Sequence, residues 1–277
     1  MTWRRLGYNV GVTLQILLTN DDGLHAPGLA VLRAALDGLG DIWTIAPDHD
    51  ASAVARGITI HRPLHVRAER FGEGWQGFAC DGTPSDCVRV ALVGVRSPVP
   101  DLVVSGVNTG SNMGADITYS GTVGAAFEAA LRGFPALAFS VESETPGWLP
   151  EAAPVIRAIV GHVIARGLPQ HTILNVNLPD RPLAGITGIH PARLGGASCY
   201  DYVALAEDDP EDGHADATAR EYPVLCDHPP SVHGAATDFD VVAAGAVAVT
   251  PLSYDLLDAD LLEELAGWDL DLAAIRA

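Results

Sequence analysis

The 277-residue chain contains no lysine; all 16 of its basic residues are arginine. That excludes a P-loop lysine, Schiff-base chemistry and any phosphatase site built on lysine. Phosphate handling here must rely on metal, backbone N–H groups or arginine. Positive charge is scarce: 35 Asp and Glu leave a formal net charge of −19. So acidic a surface disfavours polyanions, and neither a nucleic acid polymer nor an anionic membrane is expected as a partner. The four cysteines, Cys80, Cys87, Cys199 and Cys226, form no C-x-x-C pair, which argues against a zinc ribbon or a thioredoxin-type motif. Reduced, buried thiols in a cytoplasmic protein are the plain reading. No uncharged apolar run reaches transmembrane length. Arg4 and Arg5 are not followed by an apolar h-region, so no signal peptide is expected and residues 1–12 read as a loose leader. There is no G-x-S-x-G, and the glycines at 106–114 are spaced wrongly for a dinucleotide fingerprint.

What is present points to a globular fold: 48% of residues are hydrophobic and 18% charged. The chain suits one large domain or two small ones. Residues 16–28, ILLTNDDGLHAPG, organise the rest. Ile16–Leu18 read as a buried strand, Asn20–Gly23 as a turn, and Pro27 as the first turn of a helix through Leu36. Asp21 and Asp22 therefore sit at the carboxyl end of a strand, where open α/β sheets bind ligands. Two converging carboxylates repel unless a cation or a proton joins them. A hard-metal site and a helix-capping Asp beside a solvated one are both compatible with this stretch.

Further along, Asp41–Ala46 reads as a second strand, followed by the polar loop DHDASAVARG. Residues 58–66 read as extended, with Pro63 at an edge, and 72–77 as a turn before a short strand, Gly77–Cys80. A helix from Thr83-Pro84 through Leu92, a third strand at Leu102–Ser105, a helix over Thr122–Arg132 and a strand at Ala136–Ser140 follow. A helix over Ala152–Arg166 and a strand at Thr172–Val176 complete the alternation, which predicts βαβ units in a mostly parallel sheet. Residues 195–235 are irregular and contain the acidic run EDDPEDGHAD at 207–216, expected as a solvated loop. Residues 239–250 are apolar and read as a strand, and a short helix is expected around Asp258–Ala266.

The loops after the three parallel strands hold Asp21 and Asp22; Ser52; and Asn108, Thr109, Ser111, Asn112, Asp116 and Ser120. If the strands are neighbours, these oxygen donors and amides share one crevice, and they favour Mg²⁺, Mn²⁺ or Ca²⁺ over zinc. Ser120-Gly121-Thr122 immediately precedes a helix. It reads either as an anion site or as an ordinary N-cap.

Several segments, in order, carry a resemblance: ILLTNDDG (16–23), APD (46–48), DGTPSDC (81–87), DLVVSGVNTGSNMG (101–114), YSGTVGAA (119–126), LNVNLP (174–179), and TDF with VTPL (237–239, 249–252). The chain resembles the SurE family of metal-dependent nucleoside-monophosphate phosphatases. The resemblance implies a Rossmann-like three-layer α/β fold, with 13–277 as a single domain and 195–250 as an extended C-terminal oligomerisation arm. It implies a homodimer or homotetramer and one divalent metal ion per subunit, Mg²⁺ or Mn²⁺. The implied metal ligands are Asp21, Asp22, Ser52 and Asn108, with Asp21 and Asp22 also catalytic. Asn112, Ser120, Gly121 and Thr122 match positions lining the phosphate pocket.

The second loop departs from the family pattern. His49 replaces the usual Arg, Ala53 the Gly after the metal-binding Ser, and Ala55-Arg56-Gly57 a Ser-His-Ser. His61 and His65 are separated by Pro63 and read as strand surface. Cys226-Asp-His228 reads as loop chemistry, and Asp81 and Asp86 as turn and helix-start residues. The expected function is a cytoplasmic, metal-dependent phosphomonoesterase acting on small nucleoside monophosphates. The alternatives are a metal- or nucleotide-binding protein with weak catalysis and a polyphosphate-trimming hydrolase in the same fold.

Overall fold

A computed structural model of the chain describes residues 3–4, 13–95, 99–196, 200–202, 224–226, 236–265 and 267–268. Its centre is a nine-stranded sheet with strands β1 (Gln15–Thr19), β2 (Asp41–Pro47), β3 (Val66–Phe71), β4 (Trp75–Cys80), β5 (Leu102–Thr109), β6 (Ala136–Val141), β7 (Thr172–Leu178), β8 (Ile189–Pro191) and β9 (Val247–Ser253). Their order across the sheet is β8-β9-β7-β6-β5-β1-β2-β4-β3. The six central strands, β7-β6-β5-β1-β2-β4, are all parallel. From β1 the chain builds outwards through β2 and β4, then returns to place β5 on the other side of β1. The order therefore reverses between β1 and β5. A doubly wound sheet opens a crevice at such a point, outside the carboxyl ends of the two strands.

Helices cover both faces. Helices α1 (Pro27–Ala35) and α4 (Ala153–Arg166) pack on one, over Ile16, Leu18, Val104 and Phe139. On the other face, α2 (Pro84–Val90) and α3 (Gly121–Leu131) lie over Leu17, Val103, Ala138 and Ile173. Because both faces of β1 and β5 are buried, Ile16–Leu18 and Leu102–Val104 within them read as unbroken apolar runs. Two close approaches need glycine. A Cβ on Gly28 would meet the Val107 carbonyl oxygen at 1.8 Å, and one on Gly124 would meet the Ala55 carbonyl oxygen at 2.5 Å. Gly28 seats α1 against the end of β5, and Gly124 lets the second loop lie on α3.

The chain departs from expectation in two places. Residues 58–65 form no strand; the strand starts at Val66, and Val66–Phe71 pairs antiparallel with Trp75–Cys80. This hairpin lies at the sheet edge, where Arg67, Ala68 and Arg70 are exposed, so its sequence lacks an apolar run. Residues 239–250 are not one strand. Thr237 and Asp240 form a capping box that starts α5 (Asp238–Ala243), and the strand begins only at Val247. Pro251 is tolerated because β8 flanks β9 only at Val247–Val249. Of residues 195–250, α5 and the first part of β9 pack into the chain's own fold, where β9 runs antiparallel to β7. The acidic run 207–216, Cys199 and Asp227-His228 lie outside the described residues, as does most of the leader, in which Trp3–Arg4 pairs with Leu168–Pro169. A short helix, α6 (Ala259–Leu265), follows β9. Among the described residues no helix is long and apolar enough to cross a membrane.

Candidate functional site

Three loops meet at the β1/β5 crevice, and backbone hydrogen bonds join them. The Leu24 N–H donates to the Pro47 carbonyl and the Ala51 N–H to the Asp21 carbonyl, both at 2.9 Å. The Ala55 N–H donates to the Tyr119 carbonyl at 2.8 Å. The loop after β2 is thus fixed to the loop after β1 on one side and to the entry of α3 on the other. Within the first loop, Asn20 Nδ2 donates to the Gly23 carbonyl at 2.9 Å, and Gly23 takes a left-handed φ of +98°.

Asp21 is buried. Thr122 donates to both of its carboxylate oxygens, through the backbone N–H to Oδ2 at 2.9 Å and through its hydroxyl to Oδ1. Burial pushes the Asp21 carboxyl up, against these two hydrogen bonds. A Cβ on Gly121 would sit 2.8 Å from Asp21 Cβ and 2.9 Å from Oδ2, so only glycine fits beside it. Asp22 is half-buried, and its Oδ2 has no hydrogen-bond partner among the described residues. Burial, then the Asp21 charge, and more weakly Asp50, push the Asp22 carboxyl up to about 7, against one backbone N–H donated by Thr109.

The other expected site residues fall around this pair. Ser52 is exposed, and its hydroxyl donates to Asp50 Oδ1 at 2.6 Å. Asn108 spends its Nδ2 on the Gly110 carbonyl at 2.7 Å, which leaves Oδ1 as its available oxygen. Ser120 is the N-cap of α3, its Oγ accepting from the Val123 N–H at 3.1 Å. Ser120 and Thr122 are therefore already engaged within the protein, the latter in holding Asp21. Asn112 is buried and held through backbone and side chain. Arg56 is exposed, with its guanidinium carbon 5.4 Å from the centre of the Phe127 ring. His49 pairs with Asp48 at 2.8 Å. His65 is bound to Asp81 through backbone and side chain, both at 2.9 Å, and with Arg62 it holds the Asp81 carboxyl well below the usual carboxylate range. Asp86 closes the capping box of α2 and also accepts the Thr59 N–H.

Sequence reasoning missed Asp50, which partners Ser52, and the pair Asn175 and Asn177 beneath Asn112. Both asparagines are completely buried. A readable signal was there: two amides at alternate positions of an otherwise apolar strand point to the same face.

Among the described residues no three His, Cys, Asp or Glu side chains gather at one point. A cation at the crevice would therefore combine carboxylate with neutral oxygen. The arrangement suits one: two adjacent carboxylates in a buried setting, one of them with a buried oxygen free, and hydroxyl and amide oxygens on the loops fixed beside them. Such a donor set favours a hard divalent ion.

Comparison with known proteins agrees with the motifs. The family model described as Survival protein SurE matches residues 16–201. A 5'-nucleotidase SurE of Syntrophotalea carbinolica is 44% identical over 262 residues, covering 92% of this chain and 97% of the relative. One of Geobacter sulfurreducens is 42% identical over 258 residues, covering 93% and 94%. The crystal structure of the SurE protein from Aquifex aeolicus superposes with a TM-score of 0.77 at 36% identity, covering 91% of this chain and 98% of that one.

Proposed function

The chain belongs to the SurE family, and we propose that it is a divalent-metal-dependent phosphomonoesterase that hydrolyses nucleoside monophosphates to nucleoside and phosphate. The observation that carries this reading is the Asp21–Asp22 pair at the β1/β5 switch point, with a buried, unpartnered Asp22 Oδ2. The names of the relatives support the reaction class.

Asp21, Asp22, Ser52 and Asn108 would hold the metal, which when bound polarises a phosphoryl oxygen and offsets negative charge. The remaining work falls to the chain itself. Thr122 fixes the Asp21 carboxylate through two donors from the first turn of α3. Gly121 permits that contact, because a Cβ there would sit 2.8 Å from Asp21 Cβ. Asn112 has one amide hydrogen beyond the one given to Ser140, which it would offer to the phosphoryl group. Arg56 runs along α3, exposed and with its guanidinium carbon 5.4 Å from the centre of the Phe127 ring; turned towards the crevice, its head would pair with a phosphate bidentately. With the family's Ser-His-Ser replaced, little in the second loop reads the nucleoside, and activity on small phosphomonoesters with blunted base preference follows. We also assign the enzyme to the cytoplasm, on its reduced buried thiols Cys80 and Cys87, and to a homodimer or larger assembly, which light scattering at micromolar concentration would test.

The deciding experiment is release of inorganic phosphate from 5'-AMP with Mn²⁺, with EDTA, and with Mn²⁺ restored. Activity should vanish with chelator, return with metal, and be lost in Asp22→Asn along with tight Mn²⁺ binding. Chelator-resistant release, or a fully active Asp22→Asn, would overturn the assignment.

A further inference from the structure

The carboxyl end of the sheet is crossed by two rows of polar side chains. Strand register places Thr19, Ser105, Ala138, Asn175 and Thr250 in one row across β1, β5, β6, β7 and β9. Asn108, Ser140 and Asn177 make the next row, two residues further along β6 and β7. Thr19, Ser105, Ser140, Asn175, Asn177 and Thr250 are all buried. Burying an amide or a hydroxyl is costly unless it is bonded. Even so, Ser105 Oγ, Asn175 Oδ1 and Thr250 Oγ1 have no partner among the described residues. Valine or leucine would suit these strand positions better if stability were the only requirement.

The second row has a definite target. Asn112 lies in the irregular stretch between β5 and α3, where no neighbouring strand supplies backbone partners. Its peptide groups are satisfied by side chains instead. The Asn112 N–H donates to Asn177 Oδ1 at 2.9 Å, and the Asn112 carbonyl accepts from Asn177 Nδ2 at 2.9 Å and from Asn175 Nδ2 at 2.8 Å. One side-chain amide thus serves both backbone groups of Asn112, as a strand partner would. These partners also determine which end of the Asn177 amide is oxygen and which is nitrogen. Asn112 Nδ2 then donates to Ser140 Oγ at 2.8 Å, which fixes its rotamer. On the far side, the Gly114 N–H donates to Asp238 Oδ2 at 2.9 Å and ties the loop down a second time.

We propose that Asn177, assisted by Asn175, is a positioning residue for phosphate recognition: the pair fixes the backbone of Asn112 and thereby aims its remaining amide hydrogen at the phosphoryl group. This role rests on the phosphomonoesterase reading, and its test separates the two. Orthophosphate is the probe, because its binding in the presence of Mn²⁺ can be measured by calorimetry without turnover. Asn177→Ala should weaken orthophosphate binding about tenfold or more, the scale of a lost hydrogen bond to a charged group. It should lower kcat/KM by the same factor for 5'-AMP and p-nitrophenyl phosphate, and change the Mn²⁺ affinity by less than about twofold, since none of the metal-binding side chains is touched. Asn112→Ala should behave alike, and Asn112→Ala/Asn177→Ala should be no worse than Asn112→Ala alone, because both act through one contact. Asn177→Thr suits a strand and keeps one hydroxyl, so it should fold and show an intermediate loss, guarding against a variant that merely unfolds. Orthophosphate affinity unchanged in Asn177→Thr or Asn177→Ala, with only the melting temperature lowered, would overturn the role. So would losses that multiply in the double variant. Wild-type protein that binds orthophosphate in this Asn177-dependent way but releases none from 5'-AMP would instead overturn the phosphomonoesterase reading alone.

Discussion

Gly121→Ala tests the site by geometry rather than by charge. The added methyl would lie 2.8 Å from Asp21 Cβ, 2.9 Å from Asp21 Oδ2 and 3.2 Å from the Ala51 carbonyl oxygen. None of these is the end of a long, flexible side chain. Either α3 retreats or the Asp21 carboxylate turns away, and both moves lengthen the two bonds from Thr122. Overpacking of this kind costs roughly 1–3 kcal/mol. A weakened hydrogen bond to a charged group adds part of a further ~1.5–3 kcal/mol. For a chain of this size each kcal/mol lowers the melting temperature by about 2–4 °C, so a drop of roughly 5–10 °C is expected in metal-free protein. The Mn²⁺ affinity should fall at least about tenfold, ~1.4 kcal/mol, because one of the two carboxylates proposed to hold it is displaced. Gly161→Ala is the control. Gly161 lies inside α4 with nothing within 4 Å of an added Cβ, and alanine there should stabilise by roughly 0.5–1 kcal/mol. Differential scanning fluorimetry and Mn²⁺ titration of both variants decide the matter. Wild-type stability and metal affinity in Gly121→Ala would show that the contact between α3 and Asp21 does not hold the site.

Three other outcomes follow from the same geometry. Ala53 has a left-handed φ of 56° where the family carries glycine, so Ala53→Gly should stabilise by up to about 1 kcal/mol in urea denaturation; a loss would mean the strain is not real. Because the folded-state pKa of Asp22 is raised to about 7 from an ordinary 3.8, the folded metal-free protein holds a proton that the unfolded chain releases. Its contribution is complete below about pH 4 and is lost as pH rises towards and through 7. Metal-free stability, read by thermal unfolding, should fall across that window and Mn²⁺ affinity should rise; the stability trend should flatten in Asp22→Asn. Arg56→Ala should lower kcat/KM about tenfold, by a similar factor for all four common 5'-monophosphates. A loss confined to one nucleotide would assign Arg56 to the base rather than the phosphate.

Much of the architecture was legible because it rests on local pattern. The unbroken run Ile16–Leu18, the turn Asn20–Gly23 and Pro27 at the start of α1 together define a strand, a loop and a helix without help from distant residues. The meeting of Asp21 and Asp22 with the loops holding Ser52 and Asn112 followed from the rule for switch points once the strands were placed in parallel. What escaped was set by contacts remote in sequence. Thr122 is spent on Asp21, 101 residues away, rather than left open for an anion. Asn177 serves Asn112 across 65 residues. Strand β3 was misplaced because an edge strand needs no apolar alternation, whereas β4 was read at Gly77–Cys80. Helix α5 was read as strand because its capping box, Thr237 with Asp240, opens a segment whose apolar composition suits either state.

The two polar rows also give the sheet unlike ends. Its body is held by apolar side chains such as Leu17, Leu29, Leu102 and Ile156, whereas its carboxyl end is crossed by bonded amides and hydroxyls. Burial of apolar surface carries a large heat capacity of one sign, and burial of polar surface a smaller one of the opposite sign. The two ends therefore respond differently to temperature. Cooling weakens the apolar grip of the body and leaves the amide rows intact. Warming does the reverse, so the edge carrying Asp21, Asp22 and Asn108 loosens before the helices leave the sheet. Amide exchange at Asn108–Asn112 should then track inactivation by heat, ahead of global unfolding.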